Sequence, residues 1–241
     1  MFLNDREQGY KDAGIYHFDP YADTNDMPQI GTSLDADICD FIYQHISKRF
    51  TDFIPQMTRN SMQRILKTDI SGEEERLDIL EYQTQLDYSI VMNKEDPGFY
   101  MLQMKSTDEI YDTIKQKVEQ QYSIRLNDRA KNSLGYSSAI GFAWQEPGQT
   151  TVNHIDNYLT DYDKRSSRYQ DPGHRKLICF LEDWQPGQFF MMGNKVSQKW
   201  QKGQAVVLKW GMPHSTANLS NRVRITMMLK VMADENPNLP S

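Results

Sequence analysis

Apolar residues recur along this chain in two rhythms, and the change of rhythm divides it. Between Asp35 and Phe50, the residues Ile38, Phe41, Ile42 and Ile46 fall three or four apart, the spacing of one helix face. An amphipathic helix is expected there, with His45 a partly buried surface residue beside its stripe. Residues 58–85 are charged and read as helical in part. Ser71-Gly72-Glu73-Glu74 has the form of a capping box, and Glu73-Glu74-Glu75 of a solvated face. Tyr88 to Asn93 and Phe99 to Lys105 read as strands joined by a turn ending in Pro97-Gly98. Ser106-Thr107-Asp108-Glu109 reads as a second capping box. It would open a helix with Ile110, Ile114 and Val118 on one face, and its two acids suit the positive end of the helix dipole. Residues 1–34 are polar, with Tyr10, Tyr16, Tyr21 and the turn formers Pro20, Pro28 and Gly31. Such a lead is expected to be loop, packed over the rest of the chain or used as a lid.

Past residue 138 short apolar runs alternate with turns. Ala139 to Trp144 precedes Glu146-Pro147-Gly148. Arg175 to Leu181 is fit for a buried strand. Gln185-Pro186-Gly187-Gln188 feeds Phe189-Phe190, Lys202-Gly203 precedes Ala205 to Leu208, and Arg222 to Leu229 closes the set. Helical patterns first and strands afterwards predict helices backing a β core. The tail from Asp234 to Ser241, with two prolines, is expected to be loose.

The length of 241 residues suits one domain. A net charge of −6 and a pI near 5.4 leave no basic footprint for nucleic acid. Cys39 and Cys179 are too few for a disulfide framework and lie in apolar patterns, so buried free thiols are expected. The start lacks the apolar stretch of a signal peptide, and no run approaches the ~20 apolar residues of a spanning helix. A soluble cytoplasmic protein is expected, without membrane partners.

The chemistry gathers at His154-Ile155-Asp156. In an extended strand, side chains two apart share a face, so a His-x-Asp aims an imidazole and a carboxylate at one point. His214, sixty residues on, supplies a third ligand. Two histidines and one carboxylate with open positions suit non-heme Fe(II) oxygenases, although zinc takes the same ligands. A second His-x-Asp, His17-Phe18-Asp19, sits in the polar lead with no Arg-bearing strand behind it and reads as a turn. His174, in the loop 171–175, reads as a surface or substrate-contacting residue. Asn153, Asn157 and Tyr158 flank the metal motif. Trp184, Trp200 and Trp210 read as core. The charged stretch from Tyr158 to Tyr169 reads equally as a substrate-facing loop or a surface excursion.

Residues 140 to 231 resemble the Fe(II)/2-oxoglutarate-dependent dioxygenases, the prolyl-hydroxylase-like branch above all, and oxygenases of this style encoded by marine bacteriophages. The resemblance implies a mainly β fold, a double-stranded β-helix (jelly roll, cupin-like) with helices packed on one sheet. It divides the chain into an N-terminal elaboration (1–135), a metal-binding core (136–232) and a tail (233–241). It implies that His154, Asp156 and His214 hold Fe(II). Arg224, ten residues after His214, would bind the distal carboxylate of 2-oxoglutarate together with Thr226. Arg222 shares their strand face by alternation, and spacing favours Arg224. Trp144 and Gln145 stand where many relatives carry a cosubstrate-holding Tyr. The implied activity is hydroxylation of a small-molecule or peptidyl substrate, with O2 consumed and 2-oxoglutarate decarboxylated to succinate and CO2; ascorbate would serve as an optional reductant. The alternative is a non-catalytic jelly-roll binding or assembly protein that keeps the metal box.

Overall fold

The computed structural model describes residues 27–65, 88–92, 100–127, 139–151, 153, 174–209 and 212–240. In chain order the elements are α1 (Ala36–Ile65), β1 (Tyr88–Met92), β2 (Tyr100–Met104), α2 (Tyr111–Tyr122), β3 (Ile140–Gln145) and β4 (Gln149–Thr150). There follow β5 (His174–Phe180), β6 (Gln188–Met192), β7 (Lys195–Ser197), β8 (Ala205–Lys209), β9 (His214–Asn218) and β10 (Arg224–Met232). One sheet has the order β1-β2-β3-β10-β5-β8, the other β4-β9-β6-β7.

The pairing from β3 onward is nested. β3 pairs with β10, β4 with β9, β5 with β8 and β6 with β7, all antiparallel. The chain is therefore one long hairpin, doubled back at the β6–β7 turn, whose two-stranded ribbon passes from sheet to sheet as it coils. That is a double-stranded β-helix, the jelly-roll solution to stacking two antiparallel sheets. β1 and β2 widen one sheet, and β3 follows β2 as its neighbour.

Strand alternation makes two cores from the six-stranded sheet. Ile140, Phe142 and Trp144 of β3, Leu177 and Cys179 of β5, and Ile225, Met227, Leu229 and Val231 of β10 face the helices. There they meet Cys39, Ile42, Ile46 and Phe50 of α1 and Ile114 and Val118 of α2. The opposite face looks into the jelly roll, where Ile178, Phe180, Val206 and Leu208 meet Phe190 and Met192 of the smaller sheet and Trp200. Each such side chain, fully buried, contributes roughly 1.5–3 kcal/mol of transfer free energy.

The expected helix after Asp35 is present and runs on to Ile65. His45 is exposed, its Nδ1 bonded to the Phe41 carbonyl. The two expected strands are β1 and β2, Tyr88 opposite Met104. The second helix departs from expectation. It begins at Tyr111 with Ile110 at the N-cap and no side-chain cap, so Ser106 does not open it. Asp108 turns the chain instead: its Oδ1 accepts the Ile110 N–H at 3.1 Å. The same carboxylate takes both terminal nitrogens of Arg49, bolting α1 to this turn. Burial of a carboxylate is tolerable only when it is so paired.

Residues 28–34 run along the free edge of β8. Val207 N–H donates to the Pro28 carbonyl at 2.9 Å, Ile30 N–H to Ala205 at 3.0 Å and Leu34 N–H to Gly203 at 3.0 Å. This covers an edge that would otherwise invite pairing with another chain. Gly203 has φ +81°, and an added Cβ would collide with the Leu34 backbone, so only glycine fits the crossing. The tail, expected to be loose, is tied down. Asn236 is buried, donating to the Arg125 and Met232 carbonyls at 3.0 and 2.7 Å and accepting from Arg125 N–H, and Leu239 packs on the helix-side core. His174, expected in a loop, is the first residue of β5, opposite Met232. Both cysteines are free and buried. Burial pushes the Cys39 thiol up to about 11 and raises that of Cys179, which accepts a hydrogen bond from the Tyr122 hydroxyl. No helix among the described residues is long and apolar enough to cross a membrane. The Ser71–Glu74 box, the turn at 93–98, Trp210, His17-Phe18-Asp19 and the stretch from Tyr158 to Tyr169 lie outside the described residues.

Candidate active site

β10 presents Arg224 and Thr226 to the interior of the jelly roll, because their odd-numbered neighbours are taken by the helix-side core. Arg224 is 4% exposed. Its guanidinium crosses to the smaller sheet. Nη1 donates to the Phe189 and Ala217 carbonyls, both at 3.1 Å. Nη2 donates to Gln145 Oε1 and to Thr216 Oγ1, and the Trp200 ring lies 5.8 Å from Cζ, within cation–π range. Gln145 is the residue directly opposite Arg224 across the β3–β10 ladder. Nε is buried with no partner.

No carboxylate among the described residues faces this cation. Burial alone pulls its pKa down, to about 9, which still leaves it charged at neutral pH. A buried charge without a counter-charge is expensive, and an anion arriving from solution would relieve that cost. Arg222 has a different position. It precedes β10, is exposed, and its carbonyl accepts from Asn218 Nδ2 at 2.7 Å. The alternation that placed Arg222 and Arg224 on one strand face does not apply, because the strand begins at Arg224.

His214 opens β9 and is 8% exposed. Its Nδ1 lies 3.1 Å from the Met212 carbonyl. A carbonyl only accepts, so Nδ1 carries a proton and, in the neutral ring, Nε2 carries the lone pair, the tautomer a metal-ligating imidazole needs. Phe190 and Met192 lie opposite Thr216 and His214 on β6, giving His214 an apolar wall. Thr216 is two residues from His214, so both point to one face, roughly 6–7 Å apart along the strand. The imidazole and the Thr216-bound guanidinium therefore share one interior space.

Of the expected metal triad, His214 alone is among the described residues; His154 and Asp156 are not. The chain approaches them along β9. Gln149 pairs with Asn218 and Thr150 with Ala217, and Thr151 exchanges hydrogen bonds with Thr216. Each step moves toward the His214 end of that strand. Trp200 is core, as expected, stacked on Phe180 with centroids 4.1 Å apart. Trp184 is half-buried, its Nε1 bonded to the Gln188 carbonyl.

Beneath Arg224 lies a buried amide and hydroxyl cluster. Gln188 Nε2 donates to Asn218 Oδ1 at 3.2 Å, Ser220 Oγ donates to the same oxygen, and Asn218 Nδ2 donates to the Gln145 carbonyl at 2.9 Å. Gly187 closes this end with φ +93°, where an added Cβ would lie 2.7 Å from the Leu219 carbonyl. Gln145, Thr216 and Asn218 were not singled out as guanidinium or cluster partners by the sequence. The signal available was Thr216 two residues beyond His214, and Gln145 once the β3–β10 register is known.

No family model matches the chain, and no curated protein matches it in sequence. Solved structures align with it in part. A prolyl-4-hydroxylase from Pseudomonas putida is 15% identical, with 87% of this chain and 93% of that one aligned at a TM-score of 0.39. A protein described as a predicted oxalate decarboxylase from Thermotoga maritima is 12% identical, over 62% and 96% of the two chains, TM-score 0.33. An uncharacterised double-stranded β-helix protein from Klebsiella pneumoniae is 14% identical, over 40% and 69%, TM-score 0.28. Likeness at this level does not extend to function.

Proposed function

We propose that the protein is an Fe(II)- and 2-oxoglutarate-dependent dioxygenase that hydroxylates a small-molecule or peptidyl substrate. The observation that carries this reading is the buried guanidinium of Arg224. It has no carboxylate partner among the described residues, it keeps one donor unpartnered, and it is bonded to Thr216, two residues from His214 on β9. Those features fit a short dicarboxylate held at one end by the guanidinium. The interior face of β10 also carries Thr226, 8% exposed, whose hydroxyl would donate to the same carboxylate. His214, with Nδ1 fixed on Met212, would ligate through Nε2; His154 and Asp156, three and five residues beyond Thr151, would complete the triad. Bound Fe(II) would supply O2 activation coupled to oxidative decarboxylation of 2-oxoglutarate. The protein's own part is to bind, orient and exclude water. The apolar side chains of Phe190, Met192 and Met212 would keep water from the reacting end of a bound 2-oxoglutarate.

The test is anaerobic. Fe(II) and 2-oxoglutarate together are expected to give the weak visible charge-transfer band of the chelate, absent with either alone and absent in His214→Ala. Admitting O2 is then expected to release succinate, and screening substrates for a mass gain of one oxygen identifies the acceptor. A band without succinate release under any substrate would mark a binding protein; no band at all would overturn the assignment.

A further inference from the structure

The guanidinium of Arg224 has five N–H bonds, and four of them are already used inside the protein. Nη1 is held by two backbone carbonyls, of Phe189 and Ala217, and these cannot move without unzipping the β6–β9 ladder. Thr216 Oγ1 accepts from Nη2 but also donates to the Phe189 carbonyl at 3.0 Å, so it is committed. Gln145 Oε1 is the remaining acceptor on Nη2, and it sits at the end of an unbranched side chain. Its backbone is anchored independently, by Asn218 Nδ2 on its carbonyl and by the ladder to β10. The unpartnered donor, Nε, is buried.

Arginine takes a carboxylate through two parallel hydrogen bonds. With Nη1 saturated by backbone, the edge left for such a fork is Nε together with Nη2. One of those two positions is filled by Gln145. We infer that Gln145 is a placeholder: its amide oxygen occupies the carboxylate's position on Arg224 in the ligand-free protein and swings aside when an anionic carboxylate enters. Residue 145 then sets how tightly the pocket takes a carboxylate, by competing with it. A neutral amide loses to a carboxylate, because only the carboxylate adds a full charge opposite the guanidinium and a second oxygen for the bidentate fork. A built-in carboxylate would not lose. This inference rests on the dioxygenase reading for the identity of the anion, whereas the competition itself is argued from the Arg224–Gln145 contact.

Two substitutions separate a placeholder from a residue that itself grips the ligand. Gln145→Glu keeps shape and adds a permanent counter-charge. Gln145→Ala removes the competitor. Binding of 2-oxoglutarate to the Mn(II)-loaded full chain is followed by calorimetry, and the melting temperature of each metal-free variant is measured without ligand. Gln145→Glu is expected to melt higher than wild type, because it neutralises Arg224, and to bind 2-oxoglutarate at least tenfold more weakly. Gln145→Ala is expected to bind at least as tightly as wild type. A tenfold loss in Gln145→Ala would make Gln145 a direct ligand and overturn the placeholder; so would Gln145→Glu binding as tightly as wild type. If Gln145→Glu melts below wild type, the side chain does not face the guanidinium and the inference fails. If wild type binds no 2-oxoglutarate at all, the dioxygenase reading falls with it, whereas wild-type binding with unaltered variants sinks this inference alone.

Discussion

On the helix side of the six-stranded sheet, β10 offers Ile225, Met227, Leu229 and Val231, each at most 1% exposed. On the other side the same strand offers Arg224, Thr226 and the partly buried Met228. β3 repeats the contrast, with Ile140, Phe142 and Trp144 toward the helices and Gly141, Ala143 and Gln145 toward the jelly roll. One face is filled with large apolar groups meshed with two helices. The other, where β3 and β10 meet, carries small residues, a hydroxyl, an amide and an unneutralised cation. Nothing in folding alone calls for the second set, since well-packed hydrophobic residues are usually as stable as buried charges or more so. The outer face of the sheet is packed core throughout, whereas the inner face carries, where β3 and β10 meet, the polar set that the proposed function assigns to a ligand.

Neighbouring residues on β3 put the contrast to its hardest test. Phe142 is fully buried on the helix side. Phe142→Ala is expected to cost about 3–5 kcal/mol, transfer plus cavity, read from the urea midpoint at unchanged slope. Ala143, on the inner face, is only partly buried. Ala143→Leu is expected to cost about 1–3 kcal/mol, less than Phe142→Ala, yet to block binding of 2-oxoglutarate by its bulk beside the Arg224–Gln145 pair. If both variants lose stability alike, the inner face is ordinary core and the division is wrong.

The arginines come next in size. Arg224→Lys replaces a fork by a point charge, and the dissociation constant for 2-oxoglutarate with Mn(II) is expected to rise at least tenfold, about 1.4 kcal/mol. Arg222→Lys, exposed and outside the strand, is expected to change it less than about twofold, since exposed charges seldom contribute more than a few tenths of a kcal/mol. The reverse ranking would move the anion site to the rim of the barrel.

Much of the scaffold was legible because periodicity reports burial directly. The stripe of α1, the strands β1, β2, β5 and β8, and the turn before β6 all follow from apolar spacing and glycine placement. What stayed hidden depends on contacts between distant segments. β10 is apolar without a break from Met227 to Leu229, because a strand covered on both faces loses its alternation, and its two cores emerge only from the β3 and β5 registers. β4 and β7, at two and three residues, are too short to carry a pattern. Asp108 reads as an acid in the first turn of a helix; its partner Arg49, 59 residues away in sequence, is not visible there. The same applies at the site. Arg224 was reachable by its spacing from His214, whereas Gln145 and Thr216 become its partners only through cross-strand geometry.

The smallest expected change in affinity concerns the two hydroxyls near the guanidinium. Thr226 lies two residues beyond Arg224 on the same strand face, and Thr216 touches the guanidinium from β9. Thr216 Oγ1 accepts from Arg224 and donates to the Phe189 carbonyl, so its single proton is committed and it has none to give a ligand. Removing it in Thr216→Val strands a donor of a buried charge, which is expected to cost about 1–3 kcal/mol of stability while changing 2-oxoglutarate affinity less. Thr226 is the opposite case. Its hydroxyl lies on the face that a carboxylate on Arg224 would meet, so Thr226→Val is expected to leave stability within about 0.5 kcal/mol and to weaken 2-oxoglutarate binding roughly fivefold, the value of one hydrogen bond near 1 kcal/mol. Urea unfolding and calorimetry on the two variants give four numbers. If Thr216→Val loses affinity and Thr226→Val loses stability, the structural and the ligand-facing hydroxyl have been exchanged, and the carboxylate enters Arg224 from the β9 side.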